Sequence, residues 1–322
     1  MSDNINVLLV GAGEMAIEYA KVLKALKYPF QVVGRGEKNA QIFEESTGII
    51  PLCGGIENNL DRIAETPTHA IVAVGVPELA ETTTKLIESG IRKILVEKPG
   101  GLYKNDIEKI HNLAETKGTN VYIAYNRRFY SSTKRAMKII EEDGGVSSFH
   151  FEFTEWAHVI ENLESPKVLK EQWLYANSSH VIDLAFFIGG CPDKMESFVK
   201  GELSWHHKGA VFAGAGVTDK GALFTYHANW GAPGRWSVEF LTDKHRLIFR
   251  PMEELQIQDI GTVKTYVEKL DDSLDKKYKP GLYCEVYALI NNNVDQRLMN
   301  VGEQLQHWKW YEDIESGIGY NK

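Results

Sequence analysis

Two short clusters in this chain carry the residue types that move protons. Glu97-Lys98-Pro99-Gly100-Gly101 follows an apolar run, and Lys98 can donate a hydrogen bond to a reacting oxygen or help lower an alcohol's pKa. Pro99 restricts the backbone of Lys98, and the paired glycines let the chain turn away. The second cluster is Asn177-Ser178-Ser179-His180-Val181-Ile182-Asp183. Asn177 or Ser178 can cap a helix there. His180 and Asp183 then share a face of it. His180 could serve as a general base, with Asp183 either orienting it or acting only as a structural partner. Each cluster also has a plainer reading: a surface lysine before a Pro-Gly turn, and a satisfied histidine at the start of an apolar helix.

Tyr125-Asn126-Arg127-Arg128 follows another apolar run. Asn126 could touch a nicotinamide carboxamide or ribose, and Arg127 or Arg128 could meet an anionic substrate group. Both arginines could equally pair with surface acids. His206-His207 is too closely spaced for a helical metal pair and is expected to be a surface or interface pair. The aromatic stretches ending at Trp230 and Trp236 could line a sugar site or an oligomer face, but strand aromatics are most often packing. No site is assigned to them.

These groups must be held by a scaffold, and the first third of the chain supplies one. Ile5–Val10 runs straight into Gly11-Ala12-Gly13-Glu14-Met15-Ala16. A strand, a Gly-x-Gly turn and a helix form the phosphate-binding start of a dinucleotide fold. Gly11 permits the turn, Gly13 lets a pyrophosphate approach, and Ala16 lets the helix lie close. The helix N-terminus offers free N–H groups to phosphate. About twenty residues on, where an acid would hold ribose hydroxyls, stands Val33-Gly34-Arg35. A guanidinium there fits a 2′-phosphate and favours NADP over NAD, unless Arg35 is simply a solvated surface residue.

Strands and helices alternate through residues 5–124, which implies βαβ units and a parallel sheet. Ala70–Val74 is an uninterrupted apolar run, as a strand buried on both faces requires. Beyond about residue 131, strand-like segments joined by short turns suggest an antiparallel sheet, interrupted by helices near 177–188 and 282–292. The expected organisation is a Rossmann domain over 1–125 and an α+β substrate and oligomerisation domain over 126–322. The 322 residues suit two domains, and a net charge of -8 with no basic groove argues against nucleic acid. Cys53, Cys191 and Cys284 are widely separated and read as reduced thiols, with no zinc spacing. With a strand beginning near Met1 and no apolar run long enough for a bilayer, the protein is expected to be cytoplasmic.

An N-terminal Gly-x-Gly-x-x-Ala, then Glu97-Lys98-Pro99, then His180-x-x-Asp183 before an open sheet together resemble the Gfo/Idh/MocA oxidoreductases. The resemblance spans nearly the whole chain, and Glu-Lys-Pro is its most specific part. It implies hydride transfer between NADP(H) or NAD(H) and a secondary carbinol of a sugar, sugar derivative or nucleotide sugar, with no metal. It makes Lys98 the active-site lysine, next to a cis Lys98-Pro99 bond, and His180 the catalytic histidine. Asp183 would raise the basicity of His180 through a hydrogen bond. Cofactor contacts are implied for Gly11, Gly13, Glu14, Met15, Arg35, Val74, Glu97, Lys98 and Asn126, and substrate contacts for Arg127, Trp173 and Asn177. A homo-oligomer through the C-terminal sheet is expected. The chain departs from the pattern at Ala176, where many members carry an aspartate, often after glycines. That departure keeps a non-catalytic dinucleotide-binding regulator in view, and the resemblance also admits an NAD-dependent glycoside hydrolase, a reaction some members perform.

Overall fold

The computed structural model of the chain describes residues 5–63, 66–291 and 295–321, with only the backbone described at 320–321. The chain divides into two compact units, one built from 1–126 and 274–305, the other from 127–273 and 306–322.

The first unit is a doubly wound sheet. Its parallel strands are β1 (Val7–Val10), β2 (Phe30–Val33), β3 (His69–Val72), β4 (Lys93–Glu97) and β5 (Asn120–Ala124). Between them run α1 (Glu14–Leu26), α2 (Glu37–Thr47), α3 (Leu79–Glu88) and α4 (Lys104–Lys117). β1 and β3 are buried at every residue, which explains their unbroken apolar sequence. The strand order is β2-β1-β3-β4-β5, so the order reverses between β1 and β3. Beyond β2, Leu52 makes a single parallel bridge to Val33, with Gly34 N–H donating to the Leu52 carbonyl at 2.9 Å. A further parallel position at this edge of the sheet is thus reduced to one residue, too short to be legible in sequence.

Residues 274–305 return to this unit. They form α10 (Leu282–Ile290), which packs on α1, and β14 (Met299–Asn300), which pairs antiparallel with β5. Two side-chain bonds fasten the return. Asn126 Nδ2 donates to the Pro280 carbonyl at 3.0 Å, and buried Gln304 donates to the Pro99 carbonyl at 2.9 Å.

The second unit is a sheet of nine strands covered on one face by helix α8 (Ser179–Gly189). Its central strands are β6 (Ser148–Glu152), β7 (Pro192–Lys200), β8 (Val211–Thr218), β9 (Leu223–Asn229) and β10 (Ser237–Leu241). All pairings are antiparallel except β6 with β9, which run parallel. The register sets Phe149 against Phe224 and Phe151 against Tyr226, with ring centroids 5.3 Å apart in both pairs. Phe186 of α8 meets Phe149, Phe151 and Phe224 edge-on. A Cβ on Gly189 would lie 2.4 Å from the Phe149 ring, so the helix end sits this close only as glycine.

Candidate functional site

In the first unit the glycine turn has the form its sequence implies. Gly11 has φ +125°, and a Cβ there would lie 2.2 Å from the Ala73 carbonyl. No side chain but hydrogen fits between β1 and β3 at this point. A Cβ on Gly13, by contrast, meets nothing within 4 Å. The space over the N-terminus of α1 is therefore open to a phosphate, as the donor set requires. At the carboxyl ends of β1, β2 and β3 lies a cavity of about 100 Å³ whose lining includes Val10, Gly11, Gly34, Arg35 and Val74. This is the crevice at the strand-order reversal where doubly wound sheets bind ligands. The residues present fit a dinucleotide.

Arg35 forms an ion pair with Glu78 at the rim of this cavity. Its side chain is 76% exposed, so the pair is weak. Two further acids line the cavity, Glu57 and Glu81, and both bond to Lys85. Glu14 and Met15, with Ile17, Glu18 and Lys279, line a second hollow of about 440 Å³ at the start of α1. Lys279 was not foreseen. It arrives on the returning segment, far away in sequence, so no local pattern marks it.

Glu97 ends β4, and its carboxylate accepts a 2.7 Å bond from the Tyr19 hydroxyl of α1. Burial pushes the Glu97 carboxyl up, while the Tyr19 hydroxyl and the charges of Lys98 and Lys279 oppose that rise. The motif glutamate thus ties the phosphate-end helix to the strand that carries Lys98. Lys98 is half-buried, and the Lys98-Pro99 bond is cis.

In the second unit, Asn177 and Ser178 lie in a π-helical turn, Leu174–Ser178, directly before α8. Both donate to Glu155 Oε1, at 3.0 and 2.8 Å. Glu155 is buried, and its other oxygen accepts from Arg235 Nη1 at 2.9 Å. Burial raises the Glu155 carboxyl above its ordinary range against the pull of Ser178, Arg235 and Asn177. A carboxylate thus reaches this turn although position 176 is alanine. It comes from another element, just after β6, and only tertiary structure reveals it.

His180 is buried on α8, with its ring centroid 6.3 Å from that of Trp236. Asp183, on the same helix, gives both oxygens to Arg128, at 2.9 Å from Nε and 2.6 Å from Nη2. His307 Nδ1 lies 3.6 Å from Asp183 Oδ1. Burial opposes the charge of Asp183, but Arg128 and His307 outweigh it and hold the carboxyl below its usual range. These contacts make Asp183 a partner of Arg128. They also separate the two arginines. Arg128 is locked to Asp183, whereas Arg127 packs against Tyr130 and Trp236, its guanidinium carbon 5.8 and 4.8 Å from their ring centroids.

Trp173 meets Trp205 edge-on at 6.2 Å, and Trp205 stacks on Trp230 at 5.7 Å. Trp156, Trp205 and Trp230 line a cavity of about 540 Å³. The aromatic stretches left without a site therefore supply Trp236 and Arg235 beside His180, and Trp230 in this cavity. His206 departs from expectation. It is fully buried, with Nδ1 2.8 Å from the Gly209 carbonyl and Nε2 3.5 Å from Glu315, while His207 is exposed.

Residues 5–125 match the family model described as an oxidoreductase family with an NAD-binding Rossmann fold, that of the Gfo/Idh/MocA proteins. No curated protein sequence matches the chain. Solved structures do. A putative NADPH-dependent oxidoreductase from Desulfitobacterium hafniense superposes with a TM-score of 0.80 at 17% identity, over 99% of this chain and 98% of that one. An NAD-binding oxidoreductase from Klebsiella pneumoniae gives 0.79 at 15% identity, over 99% of both chains. The WlbA dehydrogenase from Bordetella pertussis, solved with NADH and UDP-GlcNAcA, gives 0.75 at 13% identity, over 99% of both. At such identities the likeness is one of fold.

Proposed function

We propose that this chain, whose residues 5–125 match the Gfo/Idh/MocA family model, is a nicotinamide-dependent dehydrogenase or reductase acting on a carbohydrate. Its substrate is a secondary hydroxyl, or the matching ketone, of a sugar, sugar derivative or nucleotide sugar. The observation that carries the reading is the open glycine turn over α1, in the same unit as Lys98 at the end of β4. When bound, the cofactor supplies a hydride acceptor or donor.

The chain's own residues have separate tasks. In the oxidative direction His180 takes the hydroxyl proton, and Lys98 donates a hydrogen bond to the oxygen as it becomes a carbonyl. In reduction the same groups act as acids. Trp173 and Asn177 contact substrate in this reading, and Asn177 is aligned for that by its bond to Glu155. NADP(H) is the preferred cofactor, with Arg35 as the phosphate contact. A 2′-phosphate competes there chiefly with Glu78, the ion-pair partner of Arg35, while Glu57, whose charge also acts on Arg35, and Glu81 bond to Lys85.

The test is a titration with NADPH and separately with NADH, followed by cofactor fluorescence. Exchangeable, NADPH-selective binding supports the reading. In the Glu78→Gln variant the NADPH preference should rise roughly two- to fivefold, the worth of a surface ion pair. Lys98→Met and His180→Ala should each lower turnover by about a hundredfold or more while leaving cofactor affinity nearly unchanged. Near-normal turnover in both variants would remove the mechanism. Copurified NAD that does not exchange would point instead to hydrolysis by transient oxidation.

A further inference from the structure

Beside His180 the second unit gathers hydrogen-bond donors that lack acceptors. Trp236 is 7% exposed, and its Nε1 is buried with no hydrogen-bond partner among the described residues. Arg127 Nε is likewise buried and without a partner. The Arg127 guanidinium carbon lies 4.8 Å from the Trp236 ring centroid, and that of Arg235 lies 4.5 Å from it. Two cations thus converge on one indole. Glu155 balances Arg235, but no carboxylate among the described residues pairs with Arg127. A buried donor without an acceptor is destabilising, more so when it is charged. Such a group persists where a ligand completes it. Both unsatisfied groups here donate, and the local charge is positive, so the missing partner is an oxyanion.

We propose that Arg127, Trp236 and Arg235 form an anion subsite, and that the substrate carries a carboxylate or phosphate close to its reacting carbinol. Arg127 and Trp236 supply the donors. Arg235 is held in place by Glu155, which acts as a positioning residue through the same carboxylate that aligns Asn177. The proposal deepens the carbohydrate reading and rests on it only in taking His180 as the place of reaction. It also explains why adjacent arginines differ. Arg128 is consumed by Asp183 inside the fold, and Arg127 is left for the ligand.

The experiment is calorimetric titration of the full chain, without cofactor and with NADPH or NADH, using sugar acids and their neutral parents. The pairs are glucuronate with glucose, galacturonate with galactose, and gluconate with glucitol; inorganic phosphate is added as a minimal anion. At least one acid should bind about tenfold or more tightly than its parent, the range of a charge-assisted bond. Arg127→Gln should abolish that difference. Trp236→Phe, which keeps a ring but removes the N–H, should reduce it, and Arg235→Lys should weaken acids without affecting the neutral parents. Acids that bind no better than their parents would overturn the proposal, as would an Arg127→Gln variant that keeps the full preference. Failure of both NADPH and NADH to bind would instead remove the dehydrogenase reading, because acid binding is also measured without cofactor.

Discussion

Arg128 and Asp183 show how far single residues could be understood from the sequence. The spacing of His180 and Asp183 correctly puts them on one helix, but spacing cannot say which of two buried groups a carboxylate will choose. Arg128, more than fifty positions away, offers a two-pronged fork that fits the carboxylate, and it takes both oxygens. Asp183→Asn should therefore act on the fold: urea unfolding should report a loss of about 3–5 kcal/mol, as expected when a buried cation loses its partner. The folded carboxyl titrates below its unfolded value. Its contribution is present above the unfolded value and is lost as pH falls through the folded one. The variant's stability should therefore depend less on pH on the acid side. A shifted pH–rate profile with unchanged stability would instead return Asp183 to His180. Gly11 was legible because a local motif surrounds it, and Lys98 and Arg35 could be singled out because each stands at a strand end. Glu155 and Lys279 were not, because nothing in their neighbouring sequence marks them.

Among the elements, the parallel strands of the first unit were the most readable. Burial on both faces leaves β1, β3 and β4 with continuous apolar sequence, and glycines punctuate the helices between them. Helix α11 (Val301–Ser316) was missed for the opposite reason. Its buried positions 301, 304, 307, 308, 311, 314 and 315 follow the helical period, but Gln304, His307 and Glu315 are polar, so no continuous apolar stripe shows it. The parallel pairing of β6 with β9 was also hidden, since alternation shows which face is buried but not the strand's neighbour. The turn after β1 gives the sharpest test at this scale. Gly11→Ala should destabilise the chain by roughly 2–4 kcal/mol in urea, because its Cβ meets the Ala73 carbonyl at a φ that disfavours side chains. It should also weaken dinucleotide binding. An unchanged unfolding midpoint would mean that the β1–β3 contact can relax.

At the scale of the molecule, the solvent face of the second sheet exposes large apolar side chains among polar ones. Phe198 is 69% exposed and Leu223 63%, and the register puts Val217 and Ala215 on the same face. A second copy of the chain is the expected occupant, so light scattering should give more than one subunit's mass, and Leu223→Glu should lower it to one. A wild-type chain of single mass would end that expectation. The two-segment construction of the first unit has a consequence for how the protein is made. A nascent chain that has released only residues 1–126 has β5 as a bare edge, because β14 has not been synthesised, and α1 lacks α10. The second unit also waits for residues 306–322. The first unit can therefore close only after all of 127–273 has been made and 274–305 has followed it.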